Sequence, residues 1–302
     1  MQKVIQVQDL KKSYNNIEAV RGIDFEVERG SFFAFLGPNG AGKSTTIEMM
    51  CTFLAPTSGQ IIIDDFIVGE DNGNIREAIG IVFQNNILDD LLTIEENLRF
   101  RGGLYGIDKN NLSELIQEAM ATTGITNLAD RRYGELSGGQ RRRADIARGL
   151  IHKPKILFLD EPTTGLDPQT RQQVWNTIQR MQKEDNLTIF LTTHYMDEAA
   201  QADKIVIIDD GQIEEEGTPS QLKEKYAKNK LVITPKDKRL SEQLENDHIS
   251  FEKTADTITI YIDSTLEAVD LSKKYIDYME SYEVLKGSMD DVFLNITGRE
   301  LK

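Results

Sequence analysis

Apolar and polar residues follow one another in the first two thirds of the chain with the periods of strands and helices in turn. Unbroken apolar runs at 32–36, 156–159 and 188–191 are typical of strands buried on both faces of a parallel sheet. Shorter apolar segments at 4–7 and 23–27 predict an antiparallel element near the start. Further strands are predicted at 60–63, 78–82 and 204–208. Because strands alternate with helices, we expect an α/β layer structure.

Between residues 85 and 150 the strand pattern stops and helical periodicity replaces it. Thr93, with Glu96 three residues later, has the spacing of a capping box and predicts the start of a helix. An amphipathic pattern at 112–123 predicts another helix. We therefore expect a helical insertion in the α/β core.

After Thr218 the pattern becomes that of a small α+β unit. Strands are predicted at 231–234, 249–253, 257–262 and 282–286, and helices at 240–245 and 266–279. The resulting order, β-α-β-β-α-β, is that of the ferredoxin-like arrangement. A final helix is predicted from Ser288, and it would bury Phe293. We therefore expect two domains, one of residues 1–218 and a C-terminal accessory domain of residues 219–302.

Composition limits the class of protein. The 302 residues are 39% hydrophobic and 28% charged, as in a globular protein with a sizeable core. No apolar run approaches the roughly 20 residues needed to cross a bilayer. The start of the chain, Met1-Gln2-Lys3-Val4, lacks the apolar region of a signal peptide, so we expect a cytoplasmic protein. Cys51 is the only cysteine, which excludes an internal disulfide and fits a reducing compartment.

The net charge of −15 argues against a nucleic-acid partner, because binding to nucleic acid needs a basic surface that displaces counterions. The basic runs Arg131-Arg132 and Arg141-Arg142-Arg143 are too short to change this conclusion. We interpret them as salt bridges and a solvated helix face.

The residues with the most specific chemistry form a loop with the pattern G-x-x-x-x-G-K-S. The strand predicted at 32–36 leads into the loop, and a helix predicted at 43–50 follows it. Glycines let successive backbone N–H groups turn toward an anion, and the helix adds the positive end of its dipole. Lys43 can then reach the β- and γ-phosphates of a nucleotide, while the Ser44 hydroxyl is placed to bind Mg²⁺. The predicted phosphate-binding loop consists of Gly37, Pro38, Asn39, Gly40, Ala41, Gly42, Lys43 and Ser44.

Two acidic residues follow the strand predicted at 156–159. In a phosphate-loop protein, a strand beside the loop must deliver an acidic group to the metal, and Asp160 fits that role. Glu161, one residue further along, points elsewhere and can polarise the water that attacks the γ-phosphate. Acidic pairs after strands are common in turns, so this prediction depends on the loop at 37–44 as well.

A second anion-binding helix start is predicted at 136–140. Ser137 and two adjacent glycines precede a helix predicted at 141–150, so backbone N–H groups again converge at a helix N-terminus. A monomeric nucleotidase has no obvious use for two phosphate-binding loops. The simplest interpretation is that this one contacts a nucleotide held by another subunit.

With these motifs, the chain resembles the nucleotide-binding subunit of an ATP-binding cassette (ABC) transporter, and the match extends over roughly residues 4–218. The resemblance implies a P-loop NTPase core with an antiparallel β subdomain and the helical insertion. It also implies an ATPase that uses ATP and Mg²⁺.

The same resemblance implies roles for residues around the bound nucleotide. Tyr14 matches the aromatic residue that stacks on adenine, and Thr45 matches a hydroxyl at the α-phosphate. Gln84 matches the glutamine that contacts Mg²⁺ and links the core to the helical insertion. His194 matches the histidine that senses the γ-phosphate. The expected catalytic residues are Lys43, Gln84, Glu161 and His194, and the expected metal ligands are Ser44, Gln84 and Asp160.

Other matching residues would act across a dimer interface. Ser137 and Gly139 match groups that reach the γ-phosphate of the partner's nucleotide, and Asp167 matches the loop that connects the two sites. The resemblance therefore implies a head-to-tail homodimer with two ATP·Mg²⁺ between residues 37–45 of one chain and 136–140 of the other. The residues expected to bind nucleotide from this second segment are Ser137, Gly138, Gly139 and Gln140.

A narrower resemblance is to the drug-resistance branch of ABC exporters. The run Arg141-Arg142-Arg143-Ala144-Asp145 departs from the cassette norm, which has Gln near position 142 and an apolar or small residue at 145. The segment 289–298 is also similar to that branch. Such cassettes pair with a separate six-helix membrane protein and export drugs, antibiotics or lipids. We therefore expect a subunit on the cytoplasmic face of the cell membrane, with its helical insertion against that partner.

Two other functions remain as alternatives. A soluble cassette ATPase acting on ribosomes or DNA usually carries two cassettes or a long coiled coil, and this sequence has neither pattern. A P-loop kinase has no use for residues 136–140. The residues leave open the transported molecule, and also whether the C-terminal domain stabilises the dimer, regulates its closure or binds the membrane partner.

Overall fold

The computed structural model describes residues 2–298, which divide into two compact units, the first up to Glu216 and the second from Gly217. The strands of the first unit are β1 (Lys3–Tyr14), β2 (Ile17–Glu28), β3 (Phe32–Leu36), β4 (Ser58–Ile63), β5 (Phe66–Ile67), β6 (Ile79–Val82), β7 (Ile156–Asp160), β8 (Thr188–Thr193), β9 (Lys204–Asp209) and β10 (Gln212–Gly217). Its helices are α1 (Lys43–Met50), α2 (Asn72–Ala78), α3 (Ile94–Gly103), α4 (Lys109–Thr123), α5 (Gly138–Leu150), α6 (Pro168–Asp185) and α7 (Met196–Ala199).

The centre of the first unit is a six-stranded sheet with the order β10-β9-β3-β8-β7-β6. Strand β3 pairs in parallel with both β8 and β9, and β7 pairs in parallel with both β6 and β8. Every residue of β3 and β8 is buried, which explains the unbroken apolar runs in the sequence. The prediction of an α/β core is confirmed.

Aromatic rings fill the space on one face of this sheet. The Phe190 ring lies 5.1 Å from Phe33 and 5.2 Å from Phe158, measured between ring centroids. Phe25 of β2 lies 5.4 Å from Phe35, so the second sheet packs on the same cluster. These rings belong to the apolar core that the two sheets of the unit share.

The second sheet is antiparallel and has the order β2-β1-β4-β5. Strands β1 and β2 form a hairpin much longer than the segments predicted at 4–7 and 23–27. The difference arises because polar residues such as Lys11 and Ser13 continue the pairing on the partly exposed part of the hairpin. The pattern of apolar residues therefore predicted only the buried half of each strand.

Residues 85–150 form the expected helical region, in which α3, α4 and α5 pack around a core of their own. The capping box at the start of α3 is present: Glu96 N donates to Thr93 Oγ1 (3.2 Å) and Thr93 N donates to Glu96 Oε2 (2.8 Å). The interpretation of residues 141–143 as a solvated helix face is wrong for Arg142, whose side chain is buried inside the unit. The pattern of apolar and polar residues could not predict this, because it treats every charged residue as exposed.

The second unit contains β11 (Asn229–Pro235), β12 (Glu252–Lys253), β13 (Ile258–Ile262) and β14 (Met279–Leu285), with α8 (Pro219–Tyr226), α9 (Arg239–Asn246), α10 (Thr265–Tyr275) and α11 (Met289–Thr297). Its antiparallel sheet has the order β12-β13-β11-β14, and α9 and α10 occupy the two helical positions of the β-α-β-β-α-β order. The predicted ferredoxin-like arrangement is confirmed. Helix α11 begins at a Ser288–Asp291 capping box, packs against α8 and buries Phe293, as predicted.

Element boundaries in this unit differ from the predictions at two places. The strand predicted at 249–253 is reduced to Glu252–Lys253, and the helix predicted to reach residue 279 ends at Tyr275. Met279 instead begins β14, where its apolar side chain joins the core of the unit. Among residues 2–298, no helix combines the length and apolarity that a membrane span requires.

The carboxylate of Asp64 forms ion pairs that connect the two sheets of the first unit. This carboxylate lies in the turn between β4 and β5, is buried, and contacts Arg29 Nη2 at 2.6 Å and Lys155 Nζ at 2.5 Å. Burial raises the pKa of Asp64, but the hydrogen bonds from Lys155 and Arg29 lower it further, so the net shift is downward. Because Lys155 directly precedes β7, this carboxylate connects the antiparallel sheet to the parallel one.

We expect Asp64→Asn to lower the free energy of unfolding of the full chain by about 2 kcal/mol at pH 7, since a hydrogen bond to a charged partner typically contributes about 1.5–3 kcal/mol. Because the pKa of Asp64 is lower in the folded chain than its unfolded value of about 3.9, the ionised carboxylate stabilises the fold above that pH. This stabilisation is lost progressively as the pH falls from the unfolded pKa through the folded pKa. Urea unfolding should therefore show the difference from wild type at pH 7 and a smaller difference near pH 3.5.

Asp65→Asn is the matched control, because Asp65 is the adjacent, exposed residue of the same turn and has the same left-handed backbone. It should leave stability within about 0.5 kcal/mol of wild type. Equal effects of the two substitutions would contradict the role of the buried carboxylate.

Candidate functional site

The loop between β3 and α1 has the backbone that its glycines permit. Gly40 and Gly42 have φ angles of 84° and 102°, in the left-handed region that favours glycine. A Cβ atom at Gly42 would lie 2.6 Å from the Ala19 carbonyl oxygen, and one at Gly37 would lie 2.3 Å from that of Ile208. The tight loop predicted from the sequence therefore requires glycine at these positions for steric reasons.

Lys43, the first residue of α1, is turned back over this loop and is only 5% exposed. Its Nζ donates to the carbonyl oxygens of Gly37 (2.7 Å) and Pro38 (3.0 Å). Burial lowers the pKa of Lys43, while the nearby charges of Glu161 and Asp160 act in the opposite direction. These two carboxylates help to keep the ammonium charged at the loop.

An open cleft of about 530 Å³ lies over the loop, within the size range of ligand sites. It gathers residues that are far apart in sequence. The residues that line it are Ala19, Asn39, Gly40, Gly42, Lys43, Ser44, Thr45, Gln84, Glu161, Thr164 and His194. The cleft thus brings together most of the predicted phosphate loop with Gln84, Glu161 and His194.

The Glu161 carboxylate is the point where these segments meet. Its Oε2 accepts hydrogen bonds from Gln84 Nε2 (3.1 Å) and Thr164 Oγ1 (3.3 Å). Its Oε1 lies 3.3 Å from His194 Nδ1 and 3.6 Å from Lys43 Nζ. A carboxylate held in this way at the mouth of the cleft can accept a proton from a water molecule that lies over the loop.

The backbone of Glu161 is strained. Its φ of 44° is in the left-handed region, which a non-glycine residue adopts at some cost and which is often found at functional sites. The Glu161 N–H donates to the carbonyl oxygen of Thr192 (3.1 Å), which ties this conformation to the end of β8.

Asp160 ends β7 and is paired with Thr192 of β8. Thr192 Oγ1 donates to Asp160 Oδ1 at 2.5 Å, and burial raises the pKa of the Asp160 carboxyl. The prediction that Asp160 follows a strand directly beside the loop strand β3 is wrong, because β8 lies between β7 and β3. Apolar runs predict strands but not the order in which they pair.

His194 directly follows β8, and β8 lies beside the strand that ends in Asp160, as expected from the sequence. The His194 ring lies against Tyr195, with 4.0 Å between centroids. Its Nδ1 is buried near the Glu161 carboxylate but lacks hydrogen-bond geometry to it.

The donor atoms near the loop suit Mg²⁺. The Ser44 hydroxyl, the Gln84 amide oxygen and the Asp160 carboxylate are all oxygen ligands, which this cation prefers. Within the part of the chain that the structure describes, no group of three or more His, Cys, Asp or Glu side chains is arranged to hold a metal. The donor set therefore fits a cation that takes its other ligands from phosphates and water.

The second predicted anion site lies at the start of α5. Ser137 caps this helix in a reciprocal box, with Ser137 N donating to Gln140 Oε1 (3.0 Å) and Gln140 N donating to Ser137 Oγ (3.4 Å). A Cβ atom at Gly139 would lie 2.1 Å from Thr170 Cγ2, so this glycine packs closely against the Thr170 side chain of α6. Residues 137–140 are not among those that line the cleft.

Besides the loop residues Gly37, Pro38 and Ala41, the predicted residues Asp160, Asp167 and Tyr14 are also not among those that line the cleft. Asp167 caps α6, where its Oδ1 accepts a hydrogen bond from Thr170 N (3.1 Å). Tyr14 ends β1, is 43% exposed, and lies under Lys12 Nζ at 5.2 Å from its ring centroid. Neither residue lines the cleft, so the structure separates the predicted nucleotide-binding residues into one group at the cleft and others elsewhere on the unit.

Sequence reasoning missed Glu198, a buried carboxylate on α7. Its Oε1 accepts hydrogen bonds from Thr163 Oγ1 and from Trp175 Nε1 (3.2 Å), and its Oε2 accepts one from Thr193 Oγ1 (2.6 Å). Thr163 follows Glu161 closely, and Thr193 precedes His194. Glu198 therefore ties together two segments that carry predicted catalytic side chains.

No sequence signal identified this contact, because Glu198 belongs to an acidic stretch that looks like an exposed helix start. Trp175 stacks on Phe32, with 5.7 Å between ring centroids, and its indole N–H donates to Glu198.

Comparison with known proteins adds the family context. The family described as "ABC transporter" matches residues 20–164. The daunorubicin/doxorubicin resistance ATP-binding protein DrrA of Streptomyces peucetius is 36% identical over 310 residues, covering 98% of this chain and 93% of that protein. The probable multidrug ABC transporter ATP-binding protein YbhF of Escherichia coli is 41% identical over 224 residues, which cover 74% of this chain but only 39% of YbhF.

A solved structure has the same fold. The dimeric post-hydrolysis state of the ATP-binding cassette MJ0796, bound to ADP and Pi, superimposes with a TM-score of 0.65 at 27% identity and covers 71% of this chain and 98% of that one. The predicted P-loop cassette fold is confirmed by this likeness.

We expect Glu198→Gln to lower the free energy of unfolding by about 1–3 kcal/mol, because the amide NH₂ would face donors where the carboxylate accepts. ATP turnover should fall as well, because Thr163 and Thr193 would lose their common partner. The measurements are thermal unfolding and steady-state ATPase activity of the purified chain.

Asp197→Asn is the control, since Asp197 is the neighbouring carboxylate of the same helix and its side chain is 70% exposed. It should match wild type in both measurements. An unchanged Glu198→Gln protein would show that these hydrogen bonds do not hold the site.

Proposed function

The chain belongs to the family of ABC transporter ATP-binding proteins, and on this premise we propose that it binds and hydrolyses ATP to power an exporter. The ATPase drives transport through a separate membrane subunit, the kind of component with which ABC ATP-binding subunits work. The relatives named for drug resistance and multidrug transport support a drug, antibiotic or lipid-like compound as the exported molecule.

The observation that carries this proposal is the division of the predicted nucleotide-binding residues on one chain. The cleft supplies a phosphate loop, a base and polar ligands for a metal, while residues 137–140 and Asp167 lie outside it. A second chain, placed head to tail, supplies its own residues 136–140 to the nucleotide held at 37–45. The related cassette MJ0796 forms a dimer with ADP and Pi bound, which supports a dimeric assembly.

The cleft residues act on ATP in distinct ways. Backbone N–H groups of the loop and the Lys43 ammonium bind the β- and γ-phosphates, and Thr45 lies where it can contact the α-phosphate. Ser44, Gln84 and Asp160 would hold Mg²⁺, which would neutralise charge on the phosphates. Tyr14 stacks on the adenine.

Hydrolysis depends on the contacts of Glu161. Its carboxylate orients the attacking water and accepts its proton, while Gln84 and Thr164 hold the carboxylate in place by hydrogen bonds. His194, beside Glu161, stabilises charge on the γ-phosphate. Contacts from Ser137 and Gly139 of the partner chain complete the pocket only when the dimer is closed. ATP binding thus drives closure, and hydrolysis reverses it.

The remaining assignments concern where this subunit works. The helical region of residues 85–150 contacts the membrane subunit, and the chain is peripheral on the cytoplasmic face of the cell membrane. The net charge of −15 disfavours the alternative of a soluble cassette acting on ribosomes or DNA. The relative DrrA, matched over 93% of its length, is named for drug resistance and not for either of those substrates.

We expect Glu161→Gln to reduce ATP turnover by at least about 100-fold, because loss of a general base typically costs that much or more. The amide keeps the size of the side chain and leaves the phosphate loop unchanged. ATP binding should persist, and light scattering after size-exclusion chromatography should show a dimer with ATP and a monomer without nucleotide.

Glu184→Gln, an exposed residue near the end of α6, provides the control and should hydrolyse ATP at the wild-type rate. Near wild-type turnover of Glu161→Gln would refute Glu161 as the base. A variant that binds ATP but stays monomeric at every protein concentration would argue against the shared pocket.

A further inference from the structure

Helix α5 has buried charged side chains in the middle of its sequence. Arg142 is 4% exposed, Asp145 is 2% exposed and Arg148 is 9% exposed. Arg142 contacts the segments that follow β6 and β7, Asp145 contacts Tyr133, and Arg148 contacts the backbone of β6. A buried guanidinium is costly unless its N–H groups are paired, so the partners of Arg142 indicate what it does.

The partners of Arg142 are backbone carbonyl oxygens on two separate segments. Its Nη1 donates to Phe83 O (2.5 Å), and its Nη2 donates to Gln84 O at 3.5 Å. The same Nη2 donates to Glu161 O (2.9 Å), and Nε donates to Pro162 O. One planar group therefore bridges the loop that carries Gln84 and the turn that carries Glu161.

The side chains of these two residues meet on the other side of the bridge, where Gln84 Nε2 donates to Glu161 Oε2 at 3.1 Å. Arg142 does not line the cleft and touches neither of these side chains. It acts on the backbone from which they project. The strained φ of Glu161 makes this support important, because a turn in a sparsely populated conformation persists only when its surroundings hold it.

Other charges keep Arg142 in place. Asp145, one turn further along α5, interacts favourably with its charge, and Asp145 Oδ2 in turn accepts a hydrogen bond from Tyr133 Oη (2.6 Å). Arg148 donates to the carbonyl oxygen of Ile81 in β6, the strand that leads into the Gln84 segment. Helix α5 thus contacts both β6 and the segment that follows it.

We propose that Arg142 is a positioning residue that holds Gln84 and Glu161 in register for ATP hydrolysis. The turnover part of this inference rests on the function proposed above. The structural part, that Arg142 fixes the two backbone segments, stands without it. Lysine cannot replace arginine in this role, because its donors radiate from a single nitrogen and do not span both segments.

The test compares Arg142→Lys with Arg143→Lys in the full chain. The two substitutions are chemically identical and adjacent on α5, but Arg143 donates to Gly124 O within the helical region and has no contact with the Gln84 or Glu161 backbone. Lysine at position 142 also keeps a cation beside Asp145. The measurements are steady-state ATPase activity, the Kd for ATP without Mg²⁺, thermal unfolding, and hydrogen exchange of backbone amides in segments 81–87 and 160–164.

For Arg142→Lys we expect turnover at least tenfold below wild type, a Kd for ATP within twofold of wild type, and faster amide exchange in both segments. The melting temperature should stay within about 5 °C, and Arg143→Lys should match wild type throughout. A loss of turnover without loss of ATP binding is the signature of a positioning role, since a merely structural role would lower both.

Turnover of Arg142→Lys within tenfold of wild type would overturn the proposal. So would a parallel loss of ATP binding and thermal stability, including failure to fold, because Arg142 would then be a structural residue. If the wild-type chain itself hydrolyses no ATP, the proposed function fails, and the hydrogen exchange result alone decides whether Arg142 holds the two segments.

Discussion

The backbone of Glu161 is the point on which the geometry of the site depends. It leaves β7 in a left-handed conformation, and its N–H is bound by Thr192 at the end of β8 while its carbonyl oxygen is bound by Arg142 from α5. The parallel sheet makes this possible, since the carboxyl ends of neighbouring strands open at the same edge. Contacts between these strand ends then fix the distance between the carboxylate and the phosphate loop.

The same chain presents a second group of residues that its own cleft does not use. Ser137 and Gly139 lie at the capped start of α5, and Gly139 packs closely against Thr170. Arg142 lies one turn further along that helix and contacts the Glu161 turn. In the proposed dimer, one helix would carry both the groups that contact the partner's nucleotide and the residue that supports the proposed base, Glu161. Movement of α5 would then affect both nucleotide sites.

Sequence reasoning succeeded where the chemistry requires contiguous residues or a simple period. Gly37–Ser44, the start of α3 and the β-α-β-β-α-β order of the second unit are of this kind. It failed where a side chain contacts distant backbone atoms, as Arg142 does, or hydroxyls from other elements, as Glu198 does. Every residue has a backbone carbonyl, so the sequence does not show which carbonyl oxygen will accept a hydrogen bond from a distant side chain. Strand order has the same property, so the position of β8 between β3 and β7 also required the structure.

The most direct measurement is the ATPase activity of a mixture of two inactive variants, Lys43→Met and Ser137→Asp. Aspartate still caps α5 but repels a phosphate, so each variant alone should lack both working pockets. In a mixed dimer, the intact loop of one chain meets the intact residues 136–140 of the other, and activity should recover to roughly a quarter of wild type because half the dimers each carry one complete pocket. An inactive mixture that nevertheless forms dimers, or a Ser137→Asp chain with full activity alone, would contradict the account.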